Sequence, residues 1–397
     1  MAHHRNLRIV VIKSVIIGRD LFIESSTVMP LAELARRGHD VTFFASATSK
    51  SARKSTVLRL NLEFVQLPKR LPLLSFICFE LAAFRRLLAS IAHVDVIILD
   101  PNSVPMLFPV VFLRRLCSPT PVLLLHVESN VVSVRNPIRV ALLKFVDVLS
   151  TKLASISFDK ILYSTPMMGE LYRELYEVPA EKISVWPNSV ELSFSESSDA
   201  TRTGHLRRQL GLVGRFGFLY HGALREGILE LVEAFRILHA SSVNVILVIL
   251  GYGVREVVAR YIQEHNLQEI VKLRGPVEHA EVPTYIAACD AGIVPLPDNI
   301  RWRYQNPIKI LELLAMNKPI IVSDIPAHRW IIGNAPVAFY LRGTDPVSIA
   351  EGVRGFLALH DKLDPTRGQK IVQERFTPER VADILEKEIL SRQTNVQ

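Results

Sequence analysis

Asn306-Pro307-Ile308-Lys309-Ile310-Leu311-Glu312 is the stretch on which the reading of this chain turns. A strand pattern ends shortly before it at Pro295-Leu296-Pro297, and a polar-aromatic loop runs from Asp298 to Gln305. Asn306 suits a helix N-cap and Pro307 the first helical position, where the N–H that proline lacks has no helical partner anyway. Lys309 then falls in the first turn, at the positive end of the helix dipole, where a phosphate is welcome. Glu312 lies three residues further on, on the same face. A cation at a helix start and a carboxylate one turn later suit a diphosphate and a ribose diol. The plainer reading is a Lys309–Glu312 ion pair on an ordinary helix surface.

On both sides of this helix, apolar β-branched runs alternate with helical patterns, the mark of parallel α/β sheets. In the first half, strands are expected at 7–17, 41–45, 94–99, 122–125, 160–163 and 183–186. The first is followed by a helix over 29–37, with Gly38 at the left-handed position just past its end. A second series has strands at 216–220, 243–250, 271–273, 292–295 and 319–322. Its helices are at 228–239, 254–264 and 281–289, and from Pro307, Pro346 and Pro378. The polar stretch after Pro187 marks a boundary, and no repeat of solenoid length runs on either side of it. This predicts an α/β chain of two Rossmann-like, doubly wound domains facing a cleft, with chemistry in the loops after the strands.

Composition narrows the class. At 397 residues, 49% apolar, the chain is long enough for two cores, with disorder expected only at the ends and around 193–203. Cys78, Cys117 and Cys289 form no CxxC pair or disulfide framework, which favours a reducing compartment. No secretory signal is read at the N-terminus. The longest uncharged runs, 101–113 and 240–254, fall short of the ~18 residues a span needs. The net charge of +8 sits wholly in the first half: residues 1–190 hold 23 Lys+Arg against 15 Asp+Glu, and residues 191–397 hold 24 of each. Basic pairs stand at Arg53-Lys54, Lys69-Arg70, Arg85-Arg86 and Arg114-Arg115, and several adjoin apolar runs, which suits an anionic membrane surface. The alternative places Arg85 and Arg86 on the solvated face of a core helix. No groove-reading motif accompanies the charge, so nucleic acid is not an expected partner.

The window from Pro307 through Lys309, Glu312 and Lys318-Pro319 to Asp324 resembles the donor-site signature of the family 4-type, group 1 glycosyltransferases, Pro-x-Lys-x-x-Glu followed by Gly-Lys-Pro and an apolar strand. Arg37-Gly38-His39-Asp40-Val41 is similar to the family's N-terminal turn, and Trp186-Pro187-Asn188-Ser189-Val190-Glu191 to its interdomain segment. His221-Gly222-Ala223-Leu224-Arg225-Glu226-Gly227 stands in place of its phosphate loop, and Leu250-Gly251-Tyr252-Gly253 in place of its GxG. The likeness covers nearly the whole chain and is strongest after about residue 185. It implies the GT-B fold, with an acceptor-side domain at 1–188, a nucleotide-sugar domain at 189–375 and a C-terminal helix at 376–397 returning to the first domain. The chain departs from the family at Tyr304, where a carboxylate is common, and at Ser189 and Asn317, where glycine is common. Asn tolerates the left-handed conformation a helix end needs.

The resemblance implies a hexosyltransferase acting from a nucleotide-diphosphate sugar, with no metal or other cofactor. Glu312 would hold the ribose, Lys309 and Arg225 the diphosphate, and Gly222 and Gly227 would let backbone N–H groups approach phosphate, within a donor site that includes Asn306 and Pro307. Arg301 and Arg303 are further candidates. His126, after the strand at 122–125, would stand near the reaction centre, with Asp100 or Glu128 as base if the transfer inverts. Family precedent favours retention. The expected acceptor is a glycan or lipid-linked glycan, and the expected location the cytoplasm, peripheral at the inner membrane face. A sugar-nucleotide epimerase on the same fold, a nicotinamide enzyme using Gly251-Tyr252-Gly253, and a non-catalytic surface-binding protein are the competing readings.

Overall fold

The computed structural model describes residues 6–17, 24–47, 60–66, 72–116, 120–129, 137–195 and 199–393. The basic pairs Arg53-Lys54 and Lys69-Arg70 lie outside them. The chain divides into two compact units, residues 1–189 with 378–397, and 190–377.

In unit 1, β1 (Arg8–Ile17) leads through α1 (Met29–Arg36) to β2 (Asp40–Ala47) and β3 (Asn61–Gln66). The chain then continues through α2 (Pro72–Ser90), β4 (Val96–Leu99), α3 (Val104–Arg115), β5 (Val122–Val127), α4 (Pro137–Ser157), β6 (Lys160–Tyr163), α5 (Pro166–Tyr176) and β7 (Ile183–Val185). All neighbours pair in parallel, in the order β3-β2-β1-β4-β5-β6-β7. The direction of winding reverses between β1 and β4, so right-handed crossovers place α1 on one sheet face and α2 to α5 on the other. Strand residues alternate accordingly. Ile9, Val11 and Phe43 join Leu31 and Leu34 of α1, whereas Phe44 meets Phe79 of α2 with ring centroids 5.5 Å apart.

Gly38 ends α1 with φ +101°, the left-handed turn expected there. That turn aims Arg37 at the last helix, α14 (Pro378–Gln393), where its guanidinium meets Glu386 at 2.7 Å and Asp383 at 2.8 Å. Trp186 Nε1 donates to the Val381 carbonyl at 3.2 Å, and Val381, Leu385 and Ile389 complete the α1 core. The C-terminal helix therefore returns to the first unit.

Unit 2 begins with α6 (Ala200–Gln209), capped by the Asp199 carboxylate at the N–H groups of Thr201 and Arg202. Disorder expected around 193–203 is thus replaced by a capped helix, with 196–198 outside the described residues. The series continues β8 (Phe216–Leu224), α7 (Ile228–Ala240), β9 (Val245–Gly253), α8 (Arg255–Glu264), β10 (Val271–Arg274), α9 (Val282–Ala288), β11 (Ala291–Val294), α10 (Ile308–Ala315), β12 (Ile320–Ser323), α11 (Pro326–Ile332), β13 (Ala338–Leu341), α12 (Pro346–Leu359) and α13 (Thr366–Arg375). The six strands are parallel, ordered β10-β9-β8-β11-β12-β13, and the winding reverses between β8 and β11. In open parallel sheets such a reversal leaves a crevice beyond the strand ends.

Candidate functional site in the second unit

That crevice is bordered by the end of β8, the β8–α7 loop, the long β11–α10 loop and the start of α10. Pro307 occupies the N-cap of α10 in extended conformation (φ −74°, ψ 118°), and its carbonyl accepts from Ile310 N at 3.0 Å. The helix therefore starts one residue later than expected. Asn306 is not the cap; it is buried just ahead of it. The ring of Pro307 fixes φ, and the extended ψ lets the loop turn into the helix. Ile310, Leu311, Leu313 and Leu314 anchor α10 in the core. Lys309, on another side, extends over Tyr220 of β8 with Nζ 4.1 Å from the ring centroid.

Gly222 lies beside it. Its φ is +104°, and a Cβ there would come 3.5 Å from both Cε and Nζ of Lys309. The absence of a side chain keeps the lysine's approach open. Gly251, paired to Gly222 across the strands, has no room for a Cβ, which would lie 1.8 Å from the Gly222 carbonyl oxygen. Gly253 is confined likewise by the Leu224 carbonyl oxygen at 2.4 Å. The Gly251-Tyr252-Gly253 fragment thus serves close strand pairing within β9, not a dinucleotide-binding turn.

Glu312 is 5% exposed and makes no surface pair with Lys309. Its Oε2 meets His221 Nε2 at 2.7 Å and its Oε1 meets His279 Nε2 at 2.8 Å. Burial raises the carboxyl pKa, but hydrogen bonds from the two imidazoles outweigh it and hold the value down at about 2. An ionised carboxylate only accepts, so both Nε2 atoms donate. His221 reaches it from the end of β8 and His279 from a short 3₁₀ turn, with the His279 ring 5.3 Å from Phe194. His328 of α11 lies near Lys309, and its Nδ1 donates to the Ser323 carbonyl at 2.9 Å. Burial chiefly, with the nearby Lys309 charge, lowers its pKa to about 4, so it is neutral at pH 7.

Arg225, directly after β8, is exposed. Arg301 extends over Trp302, 4.7 Å from the ring centroid; burial first, and the Arg225 charge second, lower its pKa. The β8–α7 and β11–α10 loops therefore converge two guanidiniums, with Glu226 beside them, 3.9 Å from Arg301. Gly227 takes the left-handed N-cap of α7 (φ +85°), where a Cβ would lie 3.4 Å from the Pro295 carbonyl oxygen. Arg303 is held by Asp298 at 3.2 Å. Asn317 ends α10 with φ +51°, as expected of the residue standing in for glycine. Lys318 is structural: its Nζ donates to the carbonyls of Ala287 (3.2 Å) and Cys289 (2.6 Å).

The remaining candidates lie in the first unit. His126, 1% exposed, packs on Trp186 at a centroid distance of 4.3 Å, and burial together with the Lys13 charge keeps its pKa well below the usual histidine range. It is a neutral, enclosed ring. Glu128 Oε1 accepts from Lys13 Nζ (2.6 Å), Ser26 Oγ (2.7 Å) and Thr27 Oγ1 (2.9 Å). Burial raises its pKa, but Lys13 chiefly brings it down to about 2. Asp100 accepts from Ser14 N at 2.9 Å, Ser14 Oγ at 2.6 Å and Ser103 N at 2.9 Å. Glu128 therefore lacks the raised pKa that suits a general base.

Comparison with known proteins divides along the same units. Residues 24–194 match the model of Glycosyltransferase Family 4, and residues 211–358 that of Glycosyl transferases group 1. TuaH of Bacillus subtilis (strain 168), a glycosyltransferase assigned to teichuronic acid biosynthesis, is 27% identical over 88 residues, which span 19% of this chain and 22% of that protein. The structure of Anabaena HepE in complex with UDP-glucose superposes with a TM-score of 0.73 at 14% identity, covering 97% of this chain and 100% of that one. Sucrose-phosphate synthase from Thermosynechococcus elongatus does so at 0.72 and 17%, covering 98% and 99%. Identities this low speak for the fold alone.

Proposed function

Because this chain belongs to the family 4-type, group 1 glycosyltransferases and has their GT-B fold, we propose that it transfers a hexosyl group from a nucleotide-diphosphate sugar to an acceptor hydroxyl. The observation that carries the reading is Lys309 beside Gly222 and over Tyr220 at the β8/β11 reversal, with Glu312 held by His221 of the same strand. Lys309 and Arg225 meet the diphosphate and stabilise the charge that develops on it as the glycosidic bond breaks, with no metal in the scheme. Lys309 is poised for this: the Tyr220 ring orients it, and among the described residues no carboxylate pairs with it. Glu312 takes the ribose. Each of its oxygens uses one lone pair on a histidine and keeps another for a ribose hydroxyl. Asn306 and Pro307 set the loop that brings Lys309 into place.

UDP-glucose, the ligand of HepE, is the first donor to try. In this reading transfer proceeds with retention, since Asp100 and Glu128 are committed to internal hydrogen bonds. His126 takes part as a neutral imidazole. The acceptor is a glycan or lipid-linked glycan, and the enzyme works in the cytoplasm, peripheral at the inner membrane face.

The test separates donor binding from turnover. A panel of nucleotide sugars is screened for thermal stabilisation, which reports affinity by mass action, and transfer is then measured with the stabilising donor. Lys309→Ala and Glu312→Ala should weaken both in a folded protein; unchanged binding and turnover would remove this donor site. Conversion of the donor to its epimer without any acceptor would instead establish an epimerase.

A further inference from the structure

Helices α2, α3 and α4, on the sheet face opposite α1 in the first unit, are apolar on both sides. Helix α3 packs between α2 and α4. Each turns one stripe inward, including Phe79, Ala83 and Leu87 on α2 and Leu107 and Val111 on α3. A solvated helix would carry polar residues on the opposite stripe. Here Leu81, Leu88, Phe112, Leu113, Phe145 and Ile156 are exposed, Ile156 at 80%. More than half of the exposed large apolar side chains among the described residues sit on these three helices. An apolar face of this extent marks an interaction surface.

Charge selects the occupant. Arg85, Lys144 and Lys152 are exposed on these helices, whereas their only carboxylates, Glu80 and Asp147, are buried and bonded inward to Ser103 and Tyr172. Among the described residues, every exposed charge on the three helices is positive, and only Lys152 has an acidic partner, Glu177 of the neighbouring segment. A second copy docked by two-fold symmetry would bring this basic-apolar face against itself. A bilayer with anionic headgroups offers the complementary pairing. Among the described residues no helix is long and apolar enough to cross a membrane, so the face would lie on the bilayer rather than in a span.

We propose that the α2–α3–α4 face docks on an anionic phospholipid bilayer, its apolar side chains in the acyl boundary and Arg85 and Lys144 against headgroup phosphates. The inference deepens the transferase reading, on which it rests only for the lipid-linked acceptor that the docked enzyme would reach. The full chain is sedimented with phosphatidylcholine vesicles, with and without phosphatidylglycerol, across a salt series. The expected result is retention on phosphatidylglycerol vesicles at low salt and release as salt rises. Phe112→Asp combined with Phe145→Asp should lower the partition coefficient about tenfold or more, and Arg85→Glu with Lys144→Glu similarly. Donor-induced thermal stabilisation, read in the second unit, should stay unchanged in both variants and shows that they fold. Vesicle binding without any donor stabilisation would support the docking face while counting against the transferase reading. Equal binding to neutral vesicles, unaltered partition of both double variants, or a dimer that these substitutions split would overturn the proposal.

Discussion

Replacing Glu312 by Gln removes one charge at nearly constant volume and tests the His221–Glu312–His279 cluster directly. In the wild type each oxygen accepts from an imidazole N–H, at 2.7 and 2.8 Å. The amide can accept at one position only; at the other its NH₂ opposes an N–H, so one buried contact is lost or a histidine must change tautomer. The carboxyl pKa is lowered from 4.5 to about 2. At about 1.4 kcal/mol per pKa unit, the folded state gains roughly 3 kcal/mol from the ionised form, an order-of-magnitude figure. Glu312→Gln should therefore lower the stability of the second unit by about 2–3 kcal/mol at pH 7, read from urea denaturation followed by tryptophan fluorescence. The sign of the pH dependence follows from the lowered pKa. The stabilisation from the lowered carboxyl pKa is present above pH 4.5 and is lost as pH falls from there towards 2, so the gap between wild type and variant should narrow below pH 4.5. Coincident denaturation curves at pH 7, or a gap that does not narrow below pH 4.5, would refute the assignment of a buried, ionised Glu312.

Lys309→Ala should weaken donor binding at least tenfold and lower kcat about a hundredfold, measured by titration calorimetry and by transfer assay. Gly222→Ala forces a side chain into φ +104° beside Lys309 and should cost about 1–3 kcal/mol on denaturation. Arg37→Ala breaks the contacts to Asp383 and Glu386 and should increase protease cleavage near residue 377, scored by mass spectrometry. Chelation with EDTA should leave the transfer rate unchanged; a rate restored only by a divalent cation would add a metal to the scheme.

Much of the fold could be read from local pattern. Gly38, Pro346 and Pro378 mark element ends through backbone constraints that act residue by residue. The short β13 and α11 were not anticipated, because a four-residue strand and a seven-residue helix carry too few periods to register. Helices α2, α3 and α4 were blurred for a different reason: residues apolar on both faces have no amphipathic period. Of the alternatives for Arg85 and Arg86, the structure exposes Arg85 and pairs Arg86 with Glu63 on β3. At the proposed donor site, the sequence shows Lys309 and Glu312 one helical turn apart. The partners of Glu312 were not legible, because His221 and His279 lie 91 and 33 residues from it in sequence. The strand end before Gly222 was a usable signal for His221; His279, on a 3₁₀ turn, had none.

The return of α14 makes the first unit discontinuous in sequence. Its inner face against α1 stays uncovered until Val381, Leu385 and Ile389 have been synthesised, after the whole of the second unit. The second unit, one unbroken segment, is complete before the first. On the ribosome the order of assembly is then inside out: the middle of the chain can finish folding while the beginning waits for the end. Arg37, Trp186 and Ser184 are the latches that close this circuit. A chain released early should keep a folded second unit attached to a first unit with an open core, a species that quality-control proteases would recognise.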